Sequence, residues 1–119
     1  MTIQILDNTV PEPDPGETSP YTLMVVLTAK PERAEELNDR LLDQIELTRA
    51  EPGNVTYHLN RGRVDKNIFY FYEAYSGVAA FRDHLDTPYI KQLLADLPPY
   101  LATDVEMTFL TMESSPPHH

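Results

Sequence analysis

A histidine, a glutamate and a cluster of tyrosines in this chain are spaced so that they could move protons. The run Phe71, Tyr72, Glu73, Ala74, Tyr75 precedes His84 by about one short helix. If the run is a strand, alternation puts Phe71, Glu73 and Tyr75 on one face and leaves an acid among aromatic rings. If His84 lies on the next helix, one turn from Ala80 and Phe81, its imidazole falls at the edge of the stripe that meets the sheet. A histidine with its ordinary pKa of ~6.5 takes or gives a proton near neutrality, and a neighbouring carboxylate sets its tautomer. His84, Glu73 and Tyr75 are therefore the expected catalytic residues. Phe71, Tyr57, His58, Tyr89 and Phe81 are the expected substrate contacts, the aromatic rings serving as walls for a planar ligand.

Each of these residues also fits a plainer role. His84 could hydrogen-bond a backbone carbonyl near its helix end, and Glu73 could pair with Arg61 or Arg63 on a neighbouring strand. Tyr57, Tyr70 and Tyr72 fit a core or a subunit interface. His58 alternates away from Tyr57, so it faces either the cleft or a partner sheet. Tyr89 closes the cleft mouth or simply packs.

The elements that must position these groups follow from periodicity. Tyr21 to Ala29 is an apolar, β-branched run that reads as a strand. From Pro31 onward, Ala34, Leu37, Leu41, Ile45 and Thr48 recur at steps of three and four, one helical stripe that stops at Pro52 and Gly53. Val55, Tyr57 and Leu59 alternate with polar neighbours, and Ile68 to Tyr75 pairs with them as a hairpin. Ser76 is the expected N-cap of a helix through Leu85, and Thr87 with Pro88 restarts a second piece that Pro98 and Pro99 end. Val105 to Met112 is the last strand.

This order is the split βαβ arrangement of α+β, ferredoxin-like domains, a four-stranded antiparallel sheet with helices on one face. The first and third strands are apolar or aromatic on both faces, while one helical layer covers only one. The other face calls for a second copy of the sheet, making a homodimer of the dimeric α/β barrel type. Residues 1–20 read as an N-terminal arm, 21–112 as the domain and 113–119 as a polar tail. Within the arm, Thr2 to Leu6 is a candidate edge strand for a neighbour. His118 and His119 look like the start of a purification tag and are set aside.

Composition narrows the function. Nineteen acidic against nine basic residues give a charge of −10, which repels nucleic-acid backbones and anionic membranes. With no cysteine there is no disulfide, thiolate nucleophile or common structural zinc site. No apolar run approaches the ~20 residues of a membrane span. Signal-peptide features are missing as well, so a cytoplasmic location is expected. There is no phosphate-binding glycine loop, no metal-ligand spacing around His58 or His84, and no serine elbow. Nucleotide binding is therefore not expected, and a metal site would need long-range convergence that the sequence does not announce.

Three local features together resemble the antibiotic biosynthesis monooxygenase family, which includes quinol monooxygenases. They are the Glu51, Pro52, Gly53 stop leading to Tyr57, the Tyr72 and Glu73 pair, and His84 with Leu85, Thr87 and Pro88. The resemblance spans roughly residues 21–112. It implies a ferredoxin-like subunit that dimerises through its sheets, a pocket between sheet and helices, and oxygen insertion into electron-rich aromatics without metal or flavin. The substrate it implies is a small hydroquinone or polyphenol, with dioxygen as partner. Many members carry tryptophan in place of Tyr75 and histidine in place of Tyr89. Haem-degrading relatives use an asparagine where this chain has Met24, which disfavours haem cleavage. Tyr72 to Tyr75 also resembles relatives that isomerise a phosphorylated autoinducer-2 breakdown product. A non-catalytic dimer that binds a small ligand is the remaining alternative.

Overall fold

The computed structural model describes residues 10–114. Strands β1 (Tyr21–Thr28), β2 (Asn54–Arg61), β3 (Ile68–Tyr75) and β4 (Glu106–Thr111) form one antiparallel sheet in the order β2-β3-β1-β4. Helices α1 (Ala34–Leu42) and α2 (Ile45–Arg49) connect β1 to β2, and α3 (Val78–Leu85) and α4 (Pro88–Asp96) connect β3 to β4. This is the ferredoxin-like α+β fold. Among the described residues, no helix is long and apolar enough to cross a membrane.

Register shows which side chains share a face. Leu23 pairs with Glu73, Val25 with Phe71, Leu27 with Phe69, and Tyr57 with Glu73. Directly opposed residues point the same way, so these side chains line the face beneath the helices. The helices answer with the expected stripe, since Ala34, Leu37, Leu41, Ile45 and Thr48 are all buried. The outer face carries Met24, Val26, Ile68, Tyr70 and Tyr72, all half-buried in the single subunit.

Local details differ from the sequence reading in three places. The helical stripe does not lie on one continuous helix. The chain tightens at Asp43, whose N–H donates to the Arg40 carbonyl three residues back, and resumes as α2. The burial period runs on through this break, which is why periodicity alone could not reveal it. At α3 the N-cap is Gly77 rather than Ser76, and no side chain caps the helix. The Ser76 backbone N–H instead donates to the Gly53 carbonyl at 2.8 Å. Finally, β4 starts one residue later than Val105. Thr87 does cap α4, accepting from the Ile90 N–H, with Pro88 in the first turn.

Residues 10–20 form no helix or strand. Val10 is buried against the cluster containing Tyr21, Tyr75 and Phe81, the Tyr21 hydroxyl donates to the Pro11 carbonyl at 2.7 Å, and Arg82 pairs with Glu12. The candidate edge strand Thr2 to Leu6 and the two terminal histidines lie outside the described residues.

Candidate active site

A cavity of about 50 Å³ lies between the inner sheet face and the helices. Its walls are mostly aliphatic, supplied by β1, α1, α4 and β4. Phe71 from β3, Tyr57 from β2 and Phe81 from α3 add rings, and Glu73 and His84 are the ionisable groups on its lining besides the Tyr57 phenol. Among the described residues, no lysine or arginine lines it.

The polar centre is assembled from four elements. His84, in the last turn of α3, is 3% exposed. Its Nδ1 lies 2.9 Å and 3.2 Å from the two carboxylate oxygens of Glu51, in the turn between α2 and β2. Tyr89, in the first turn of α4, donates its hydroxyl to the same Glu51 carboxylate. On the other side of the ring, Nε2 stands 3.9 Å from Glu73 Oε1, a charge contact beyond hydrogen-bond range. Glu73 accepts a 2.7 Å hydrogen bond from the Tyr75 hydroxyl, which the alternation of β3 places two residues away on the same face. Tyr57 and Tyr75 pack their rings against the imidazole, with centroids 5.7 Å and 5.2 Å away.

Gly53 allows this close assembly. A methyl group on it would fall 2.3 Å from Ala80 Cβ, so only a glycine lets α3 approach the turn that carries Glu51. Ala80 is one turn before His84, and the glycine contact therefore sets the distance between imidazole and carboxylate.

Burial shifts the titrating groups. Desolvation pushes Glu73 up to about 7, against the lowering effect of the Tyr75 hydrogen bond and with the nearby Glu51 charge raising it further. His84 is pushed below its ordinary value because desolvation outweighs the stabilising Glu51 carboxylate. Near neutral pH the site thus holds a neutral imidazole next to a carboxyl group that is partly protonated. The Tyr57 and Tyr75 phenols are driven up, first by burial and then by Glu73. Tyr89 is pushed up to about 12 by burial and by its bond to Glu51. Acid and base in contrasting environments are what proton transfer in both directions requires. Among the described residues, no three His, Asp or Glu side chains are grouped to hold a metal ion.

Residues 20–96 match the antibiotic biosynthesis monooxygenase family. The chain belongs to that family. It is 29% identical over 92 residues to an uncharacterized protein of Synechocystis sp., covering 77% of this chain and 63% of the relative. The chain thus spans less than two thirds of that relative's length. A solved structure from Pseudomonas aeruginosa superposes with a TM-score of 0.77 at 29% identity, covering 83% of this chain and 100% of that one. One from Mycobacterium tuberculosis gives 0.77 at 25%, covering 82% and 98%. A Nitrosomonas europaea structure at 18% identity and a TM-score of 0.78, covering 82% and 93%, shares the fold.

Within this family fold, the residues singled out from the sequence are not all in one place. Glu73, His84, Phe71, Tyr57 and Phe81 meet at the cavity. Tyr75 stands behind Glu73, buried and off the lining. Tyr89 reaches the site only through Glu51. His58 is on the outer sheet face opposite Tyr72, exposed, with Nδ1 3.1 Å from the Arg49 guanidinium, and takes no part in the cavity. Arg61, a suggested partner for Glu73, pairs instead with Glu35 at 2.7 Å. Glu51 was not among the expected site residues, although it opens the Glu51, Pro52, Gly53 motif. An acid at a helix stop, where the helix dipole disfavours negative charge, was the signal available.

Proposed function

We propose that the protein is a cofactor-independent monooxygenase acting on a small hydroquinone or related polyphenol. The observation that supports this reading best is the neutral imidazole of His84 at the wall of an apolar cavity, with a partly protonated Glu73 carboxyl beside it. His84 Nε2 takes a phenolic proton, and the electron-rich anion that results reacts with dioxygen. One oxygen atom forms a bond to ring carbon. The O–O bond then breaks, and the second atom leaves as water with the proton held by His84 and one from Glu73, which is restored by the proton lost from the oxygenated ring carbon. The substrate supplies the electrons, so hydroquinone and dioxygen become a hydroxyquinone and water. A positioned base contributes about 10²- to 10⁴-fold to such a step. Phe71, Phe81 and Tyr57 form the aromatic wall, and Tyr75 orients Glu73.

Volume constrains the substrate. A buried apolar cavity of ~150 Å³ admits benzene, and the space here is about 50 Å³. A single-ring phenol therefore enters by displacing flexible lining side chains, and fused polycyclic substrates fit poorly. The isomerase reading draws less support, because a phosphorylated substrate calls for cationic partners and the lining supplies none. A non-catalytic binding role would leave the paired acids around His84 without a purpose.

A homodimer is part of the same proposal. Met24, Val26, Tyr70 and Tyr72 leave an apolar outer face half-covered, and a second sheet packed across it would bury them. Oxygen uptake with monocyclic hydroquinones, measured for the wild type and for His84→Ala, tests the oxygenase reading.

A further inference from the structure

The proposed reaction uses Nε2 of His84 and leaves the opposite edge of the ring without a task. We propose that Glu51 is a positioning residue that holds the proton on His84 Nδ1 and thereby keeps the Nε2 lone pair turned towards the cavity. This inference rests on the oxygenase reading for its consequence and on geometry for its content.

A carboxylate only accepts hydrogen bonds, so the group 2.9 Å from it at Nδ1 must be the donor. A neutral imidazole has one N–H, and Nε2 is then the basic nitrogen. That nitrogen faces Glu73 and the cavity lining, with Glu73 Oε1 too distant, at 3.9 Å, to occupy the lone pair. Without Glu51, the opposite tautomer would point an N–H at the cavity and have no base to offer. The Tyr89 hydroxyl, donated from α4, pins the carboxylate in this orientation.

Glu51 also stands at a boundary. It lines a second, outer groove of about 460 Å³ together with Pro52, Gly53, Ser76, Ala80, Asp83 and Thr87, while His84 lines the cavity. The hydrogen-bonded pair His84–Glu51 thus reaches from the apolar chamber to an open groove. When Nε2 gains the phenolic proton, the imidazolium is paired at Nδ1 by the Glu51 carboxylate. When the oxygen intermediate takes the proton back from Nε2, the pair returns to its starting state with no net change. The titratable groups facing the ring are Glu51 from the α2–β2 turn, Tyr57 from β2, Glu73 and Tyr75 from β3, and Tyr89 of α4 through Glu51.

The test is nitrogen NMR of ¹⁵N-histidine-labelled protein, comparing the wild type with Glu51→Gln and Glu51→Asp between about pH 5 and 8, where histidine titrates. His84→Ala identifies the resonances. The wild type is expected to show a protonated, pyrrole-type Nδ1 in the neutral ring. Glu51→Gln, whose amide oxygen can still accept from both Tyr89 and Nδ1, is expected to keep the Nδ1–H form and to lower the ring's proton affinity by about tenfold or more, since a nearby carboxylate is lost. Glu51→Asp, which restores the charge, should recover the proton affinity in part. In hydroquinone oxidation, Glu51→Gln should lower kcat with KM little changed. A wild-type neutral ring that carries its proton on Nε2, or an unaltered titration in Glu51→Gln, overturns the proposal. If His84→Ala retains full oxygen uptake, the oxygenase reading fails on its own, and the NMR result still decides what Glu51 does to the ring.

Discussion

Histidines of opposite character lie on the two sides of the sheet, one on the helix that covers its inner face and one on a strand. On the inner face, His84 is enclosed between Glu51 and Glu73 with aromatic rings packed against it. On the outer face, His58 is exposed beside the Arg49 guanidinium. Strand β3 serves both faces, turning Phe71, Glu73 and Tyr75 inward and Tyr70 and Tyr72 outward. A histidine becomes a usable base by losing water and gaining oriented partners, and only the inner face provides both.

The sharpest way to separate the faces is to remove packing from the inner one. Phe71→Ala deletes a ring that is 3% exposed and stacked on Tyr57, and should cost about 3 to 5 kcal/mol in denaturant unfolding. Next comes Glu73→Gln, read through pH. Glu73 is raised in the folded protein, so between its unfolded value of 4.5 and about 7 the native state binds more protons, and stability falls as pH rises through that window. Glu73→Gln removes this fall. At pH values above the window it should be more stable than the wild type by roughly 3 kcal/mol. His84 carries the opposite slope: its lowered value makes the native state resist protonation, so its contribution is lost as pH drops below the ordinary histidine range. The acid limb should therefore persist in Glu73→Gln and vanish in His84→Ala.

On the outer face, Tyr72→Asp should leave the unfolding free energy of the subunit nearly unchanged and shift sedimentation from dimer towards monomer. A dimer of undiminished stability would remove that face as the interface. His58→Ala should be the mildest change, within about 0.5 kcal/mol of the wild type, with turnover unaltered. A marked loss of turnover in His58→Ala would erase the contrast between the faces.

Much of the inner face could be read in the sequence. Alternation along Phe69 to Tyr75 and the stripe Ala34, Leu37, Leu41, Ile45, Thr48 place Glu73, Phe71 and Tyr57 under the helices, because burial at periods of two and 3.6 leaves a direct trace in residue type. His84 falls on the same layer for the same reason. The position of His58 was legible only as two options, since one strand in isolation does not say which face the helices cover. Glu51 was not legible as a partner. Its bond to His84 joins residues 33 apart in sequence, and it depends on the tight Gly53–Ala80 approach, which no period encodes. The break at Asp43 was hidden because the buried stripe continues through it.

The most direct measurement is oxygen consumption by the purified protein with single-ring hydroquinones in the presence of a metal chelator, wild type beside His84→Ala. The expected result is chelator-resistant uptake with a hydroxyquinone as product, reduced by about 10²- to 10⁴-fold in His84→Ala while the variant remains folded. Uptake that is equal in the two proteins, or absent from the wild type with every hydroquinone, would contradict a monooxygenase built on His84.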